Sequence, residues 1–371
     1  MRTTGVLLIL MIGCLSVHVK ATQPCPQWLE SYADWHSKTL HTLGESQHRK
    51  IVYVCNSLCG GLGDRIRGLF FTLRIAAATN RLFFVEWSSP LKLSAVLAPS
   101  IINWTVPGEL FNASRNTLTY MDPMISEDRR ASFDMQIKID FSAALNVWLQ
   151  TNELPDVHLS TLIDTPLSAE HMNCIWTYLF SETVELTDLI RLEQRKLGIV
   201  RNEYVAGHLR LGGSEGEEES VNRLPFSIEA ALSILRRCNE ILGPKSSKAV
   251  VPLLLITDNV YLRDVFARRA PNISSLFVVP TTSPIHYDRA SSTSRHIDTF
   301  IELGLLAQSK YLLLSPSGFS NVAMWLGQHV LEKTAYELKL CHAPVLKPLT
   351  RRSDTCPCAW SKSLLERAQN V

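Results

Sequence analysis

YVAGHLRLGG, residues 204–213, holds the pattern from which the fold follows. The apolar run Tyr204-Val205-Ala206 suits a buried strand, and Gly212-Gly213 marks where the chain turns off the sheet. His208 and Arg210 stand two positions apart, so on a strand they face one side. At the carboxyl end of a strand in an α/β protein, that side opens into the crevice where ligands bind. A guanidinium offers a planar fork of donors and an imidazole a second donor or a base-edge contact, a pair suited to a phosphate ester. Taken alone, the stretch also fits a satisfied histidine and a surface arginine beside an ordinary strand. Its weight comes from its surroundings.

Downstream, the acidic run SEGEEES (214–220) reads as a solvated loop, because loops that bind hard cations space their oxygen ligands with turns. An amphipathic helix is expected over 227–242. A fully apolar strand over 250–256 runs into Thr257-Asp258-Asn259. A helix over 260–269, a strand over 276–280, a polar loop over 281–295, a helix over 297–309 and a strand over 311–314 follow. SPSGFSN (315–321) then opens a helix reaching about residue 327. Ser317, Gly318 and Ser320 put hydroxyls and backbone amides at its start, an arrangement that holds anions. The alternation predicts a parallel, doubly wound sheet. Three polar strand ends (HLR, TDN and SPSGF) would then gather along one edge.

Upstream, residues 22–50 read as a short helical lead-in carrying Trp28 and Trp35. A buried strand over 51–54 enters CNSLCGGLGDRIRG (55–68). Gly60, Gly61 and Gly63 make a tight turn before a helix over 64–80, whose buried face carries Ile66, Leu69, Phe70, Leu73 and Ala77. A strand over 82–86, ending in Glu86, completes a βαβ unit. Asp64 stands where an N-cap would, with Arg65 and Arg67 in the first turn. Cations there oppose the helix dipole, so their placement predicts an anion at this turn. A turn that simply needs small residues is the alternative. The glycine spacing is not the dinucleotide GxGxxG pattern. From 87 to 190 the periodicity weakens and prolines interrupt it, with strand-like pieces near 136–141 and a helix through 169–181. A boundary is expected near 191–203.

The chain has 371 residues, 46% of them hydrophobic, enough for two cores. Its formal charge of +2 and the lack of any Lys/Arg block argue against nucleic acid as a partner. Arg2 precedes the apolar run 5–17, the length of a signal-peptide core and short for a membrane span. Cleavage after Ala21 is the favoured reading; a retained signal anchor, the one route to membrane association, is the alternative. Either way the body of the chain enters the secretory pathway. Eight cysteines remain outside the leader, and three N-glycan sequons stand at Asn103, Asn112 and Asn272. Cys356 and Cys358 read as disulfide partners. Cys55 and Cys59 bracket a turn and pair with each other or elsewhere.

Together GGLGDRIRG, HLR, TDN and SPSGFS resemble the motif set of the GDP-fucose fucosyltransferase superfamily, which includes α-1,6-fucosyltransferases, nodulation enzymes and protein O-fucosyltransferases. The resemblance covers roughly 51–90 and 204–327. It implies a GT-B-like α/β architecture, two Rossmann-type domains facing a cleft. The division would be an N-terminal domain over 22–195 on the acceptor side, a nucleotide-sugar domain over 196–345 and a cysteine-containing tail over 346–371. It implies inverting transfer of fucose from GDP-fucose to a glycan or protein hydroxyl, without metal or other cofactor, in the lumen of the Golgi or endoplasmic reticulum or after secretion. Arg210 matches the arginine that holds the donor's β-phosphate and His208 the histidine near the nucleoside. Ser317, Gly318, Phe319 and Ser320 match the segment that wraps the pyrophosphate, and Asp258 the aspartate of a threonine-aspartate motif. Glu302 falls where some members carry an aspartate that accepts from the guanine edge, with Asp298 as substitute. Gly60, Gly61, Gly63, Arg65 and Arg67 complete the donor-side set. Asp64 and Glu86, flanking the first-domain cleft, are the candidate bases. Leu211, where α-1,6 enzymes often carry a second arginine, argues against that linkage. The alternatives are a related transferase using another nucleotide sugar and a secreted binding protein that performs no transfer. A serine hydrolase built on Ser317 is disfavoured, because SPSGFS lacks the GxSxG elbow.

Overall fold

Among the described residues, two all-parallel sheets organise the chain. The computed structural model describes residues 25–42, 48–56, 59–108, 117–120, 146–152, 167–211, 235, 251–260, 262–264, 277–282, 295–329 and 334–337. The expected leader, the strand-like pieces near 136–141, the acidic run 214–220, nearly all of the helix expected over 227–242, and Asn112, Asn272, Cys356 and Cys358 lie outside the described residues. Among those described, no helix is long and apolar enough to cross a membrane.

The first half opens with α1 (Gln27–Thr42), β1 (Lys50–Cys55), α2 (Leu62–Ala78) and β2 (Leu82–Trp87). It continues through β3 (Leu97–Pro99), β4 (Thr117–Tyr120), β5 (Asn146–Thr151), α3 (Ala169–Leu179), β6 (Phe180–Glu182) and α4 (Val184–Leu197). Every residue of β1 is buried, as a central parallel strand covered on both faces requires. The sheet order is β2-β1-β5-β4, and β3 pairs with β6 in a small antiparallel ribbon. Helix α2 begins two residues before the position expected. Gly61 is its N-cap, and Asp64 sits at the third helical position, accepting from the Gly61 N–H at 3.0 Å. Gly60, at φ +81°, takes the left-handed conformation that makes this turn possible.

The second half runs through β7 (Val205–Leu209), β8 (Leu253–Thr257), β9 (Phe277–Val278), α5 (His296–Ala307), β10 (Tyr311–Leu314), α6 (Gly318–Leu326) and β11 (Ala335–Glu337). Its sheet order is β11-β10-β7-β8-β9. The chain thus winds outward from β7 in one direction and then crosses to the other side at β10. Such a reversal leaves a crevice beyond the carboxyl ends of the two strands that flank it.

Two disulfides fasten the first half. Cys25 is bonded to Cys174, tying the start of α1 to α3 across 149 residues. Cys55 is bonded to Cys59, which closes the pairing left open by the sequence.

Helix α6 joins the halves. At its start Gly318 lies so close to Gly63 of α2 that a Cβ built on Gly63 would stand 2.7 Å from the Gly318 Cα and the Phe319 nitrogen. At its end, the Asn173 side-chain amide on α3 donates to the carbonyls of Trp325 at 2.5 Å and Gly327 at 3.1 Å. Between these ends the Phe70 and Trp325 rings pack with centroids 5.8 Å apart.

Candidate functional site

Register brings the three polar strand ends level. His208 of β7 lies beside Leu314 of β10, and Leu209 beside Thr257 of β8. The next residues out are Arg210, Asp258 and Ser315, so HLR, TDN and SPSGFS meet at the reversal point.

His208 is buried, and burial first, then the nearby Arg210 and Arg263 charges, lowers its pKa to about 3. It is therefore neutral at physiological pH. Its Nδ1 lies 2.7 Å from the Ser320 hydroxyl, which gives its one proton to the Ser315 carbonyl at 2.7 Å. Ser320 can then only accept from the ring, which assigns the imidazole proton to Nδ1. Ser317 caps α6, its hydroxyl donating to Ser320 Oγ at 2.9 Å and accepting from the Ser320 N–H at 3.0 Å. The Phe319 ring stands 5.1 Å from the His208 ring. His208 thus fastens the SPSGFS turn from beneath.

Arg210 donates its backbone N–H to Ser315 Oγ at 2.8 Å, and its guanidinium pairs with the Asp258 carboxylate. Asp258 also accepts from the Leu211 N–H at 2.7 Å. Beyond it, Asn259 caps the short helix that follows, accepting from the Leu262 N–H at 2.8 Å. Arg263 was absent from the sequence-derived site. It donates to the Thr257 carbonyl at 2.5 Å and makes a bidentate pair with Glu302 at 2.6 and 2.8 Å. Thr282 donates its hydroxyl to the same carboxylate at 2.7 Å. Arg263 and Glu302 are both buried. This corrects the expectation for Glu302: its carboxylate is a structural partner of Arg263 and Thr282 on α5. Asp298 lies one turn earlier, in the first turn of that helix and partly buried. In the sequence Arg263 is one of three arginines in the run 260–269 just after TDN, and nothing local singles it out.

On the first sheet, Gly60, Gly61 and Gly63 form the turn into α2. Asp64 accepts from Gly61 and is paired with Arg67. Arg65 departs from expectation. It is buried, donating to the Gly60 carbonyl at 2.9 Å, the Ser89 carbonyl at 2.7 Å and Cys55 Sγ at 2.6 Å, with its guanidinium 5.3 Å from the Trp87 ring centre. Inward carbonyls satisfy the cation, so the turn needs no anion to explain it. Glu86, at the end of β2, accepts from the Asn56 side chain at 2.9 Å.

The described residues contain no group of three or more His, Cys, Asp or Glu suited to a metal. A cavity of about 660 Å³ opens at the other pole of the second sheet, between Trp176, Arg201, Gln308, Lys310 and His329. It contains none of the convergent motif residues. The strand-end cluster, where three motifs and a topological reversal coincide, is the better candidate on chemical grounds.

No family model and no curated protein matches the sequence. Among solved structures the chain is similar to a variant of Arabidopsis thaliana FUT1 in complex with GDP, at 15% identity over 87% of this chain and 81% of that one, with a TM-score of 0.52. It is also similar to fucosyltransferase NodZ from Bradyrhizobium, at 14% identity over 76% of this chain and 94% of that one (TM-score 0.44). For POFUT1 in complex with GDP-fucose the values are 12% identity, 76% and 94%, with a TM-score of 0.42. The FUT1 likeness establishes a shared fold, a mixed α/β architecture with parallel sheets.

Proposed function

We propose that this chain is a glycosyltransferase of the GDP-fucose fucosyltransferase type, with two Rossmann-type domains (22–195 and 196–345) facing a cleft. The observation that carries this reading is the level meeting of HLR, TDN and SPSGFS at the reversal of the second sheet. There Arg210 is held by Asp258 and Ser315, next to the start of α6. A guanidinium and a helix N-terminus that follow neighbouring strand ends are both suited to the diphosphate of a nucleotide sugar. FUT1, NodZ and POFUT1, solved with GDP or GDP-fucose, point to the same donor.

In this reading the acceptor hydroxyl attacks the anomeric carbon from the face opposite the diphosphate. The new C–O bond forms as the bond to the β-phosphate oxygen breaks, and the electron pair leaves with GDP, which gives inversion. Arg210 and the backbone amides at the start of α6 stabilise the charge that develops on the diphosphate, a task that requires no metal. The acceptor proton passes to a carboxylate of the first sheet. Asp64, held by Gly61 and Arg67, and Glu86, held by Asn56, are the candidates for that base. The acceptor is a glycan or protein hydroxyl in the secretory lumen. Exposed Asn103 and two disulfides suit that compartment.

Calorimetric titration of the purified chain with GDP and UDP, followed by turnover of GDP-fucose with glycan and peptide acceptors, tests the proposal. GDP should bind more tightly than UDP, and Arg210→Lys should weaken GDP by about 10- to 100-fold, the cost of losing charge-assisted bonds worth about 1.5–3 kcal/mol. Equal affinity for both nucleotides, or undiminished turnover by Arg210→Lys, would overturn it. GDP binding without transfer to any acceptor would favour a secreted binding protein.

A further inference from the structure

We infer that Asp258 is a positioning residue: it aims Arg210 at the ligand and does not itself touch the donor. The inference rests on the proposed reading of this cluster as a nucleotide-diphosphate site. Both Asp258 oxygens already face the protein. Oδ1 accepts from the Leu211 N–H at 2.7 Å and Oδ2 is paired with the Arg210 guanidinium. Against a diphosphate, an isolated carboxylate is repulsive. Joined to a guanidinium, it neutralises part of that repulsion and removes rotamer freedom that Arg210 would otherwise lose on binding.

Asp258 is itself held from below. The carbonyl of the preceding residue, Thr257, accepts from Arg263 Nε at 2.5 Å, and the Arg263 guanidinium is locked bidentately to Glu302. All three of these groups are buried. The support therefore runs from α5 through Arg263 to the end of β8, and from there to the end of β7. A loose Arg210 would cost affinity even with every donor contact intact, because a site's precision resides in the groups behind it.

The test is a double-mutant cycle on GDP binding by calorimetry, using the full chain with Arg210→Ala, Asp258→Ala and the pair, and Arg263→Lys in both backgrounds. Circular dichroism and thermal melts would confirm folding. Asp258→Ala should weaken GDP about tenfold when Arg210 is present and change it less than about twofold when Arg210 is absent, the signature of one residue acting through another. Arg263→Lys, which keeps the charge but loses the fork, should show the same dependence on Arg210. Asp258→Asn keeps an acceptor for Leu211 and carries the cycle where Asp258→Ala does not fold. Equal losses in both backgrounds would overturn the inference while the proposed donor site stands. A wild-type chain that does not bind GDP would overturn both.

Discussion

Gly63 and Gly318 touch backbone to backbone where α2 and α6 begin. No side chain fits between them. A Cβ on Gly63 would stand 2.7 Å from main-chain atoms of Gly318 and Phe319, neither of which can swing aside as a side-chain end does. Gly318 is less confined, since its nearest neighbour, the Gly63 Cα, would be 3.3 Å away. The two positions therefore separate. Gly63→Ala should lower stability by about 1–3 kcal/mol, the usual cost of overpacking, and also weaken GDP by displacing the start of α6. Gly318→Ala should be milder in both. Denaturant unfolding and GDP titration of the two variants check the order, and a Gly63→Ala protein as stable as the wild type would refute it.

At the scale of elements, α6 is gripped at both ends by the first half of the chain: by glycine contact at its start and by Asn173 at its finish. The Asn173 amide supplies hydrogen bonds to two carbonyls at the helix end, which helices of this kind leave without intrahelical partners. Asn173→Leu keeps the volume and removes both donors. It should cost about 1–3 kcal/mol and lower the melting temperature, whereas an exposed change nearby, such as Thr177→Ala, should do much less. A melt unchanged in Asn173→Leu would show that water replaces the amide. These cross-chain contacts also mark where the sequence was silent. β10 was legible to the residue, as YLLL between a helical run and SPS, and the strand ends of HLR and TDN met as expected. Such features are written in local periodicity and turn chemistry. The Asn173–Trp325 bond spans 152 residues and the Arg263–Glu302 pair 39, and no periodic pattern announces either. Arg65 escapes local patterning for the same reason: its carbonyl partner at Ser89 lies 24 residues on.

Across the whole molecule, three of the four buried histidines among the described residues, His36, His208 and His329, share a response to pH. Burial lowers His36 to about 4, His208 to about 3 and His329 to about 4, and all three are neutral in the folded chain. Each hydrogen-bonds at the base of a different part of the fold: His36 to the Phe83 carbonyl, His208 to Ser320, and His329 to the Thr334 hydroxyl and the Leu306 carbonyl. In the unfolded chain they titrate near 6.5. Between that value and about 4 the unfolded state takes up protons that the folded state refuses, so the unfolded state binds more protons and stability rises with pH. The stability these groups contribute is complete above about pH 6.5 and is lost as the pH falls toward 4, by up to about 1.4 kcal/mol per pH unit for each histidine. Denaturant unfolding at pH 7.0, 6.0 and 5.0 should show a steady fall. His208→Asn, whose amide can still donate to Ser320, should make the slope shallower by about a third of what His36, His208 and His329 together contribute. A stability flat from pH 7.0 to 5.0 would mean that these rings are solvated, and with it the picture of His208 fastening the SPSGFS turn from a dry interior would fall.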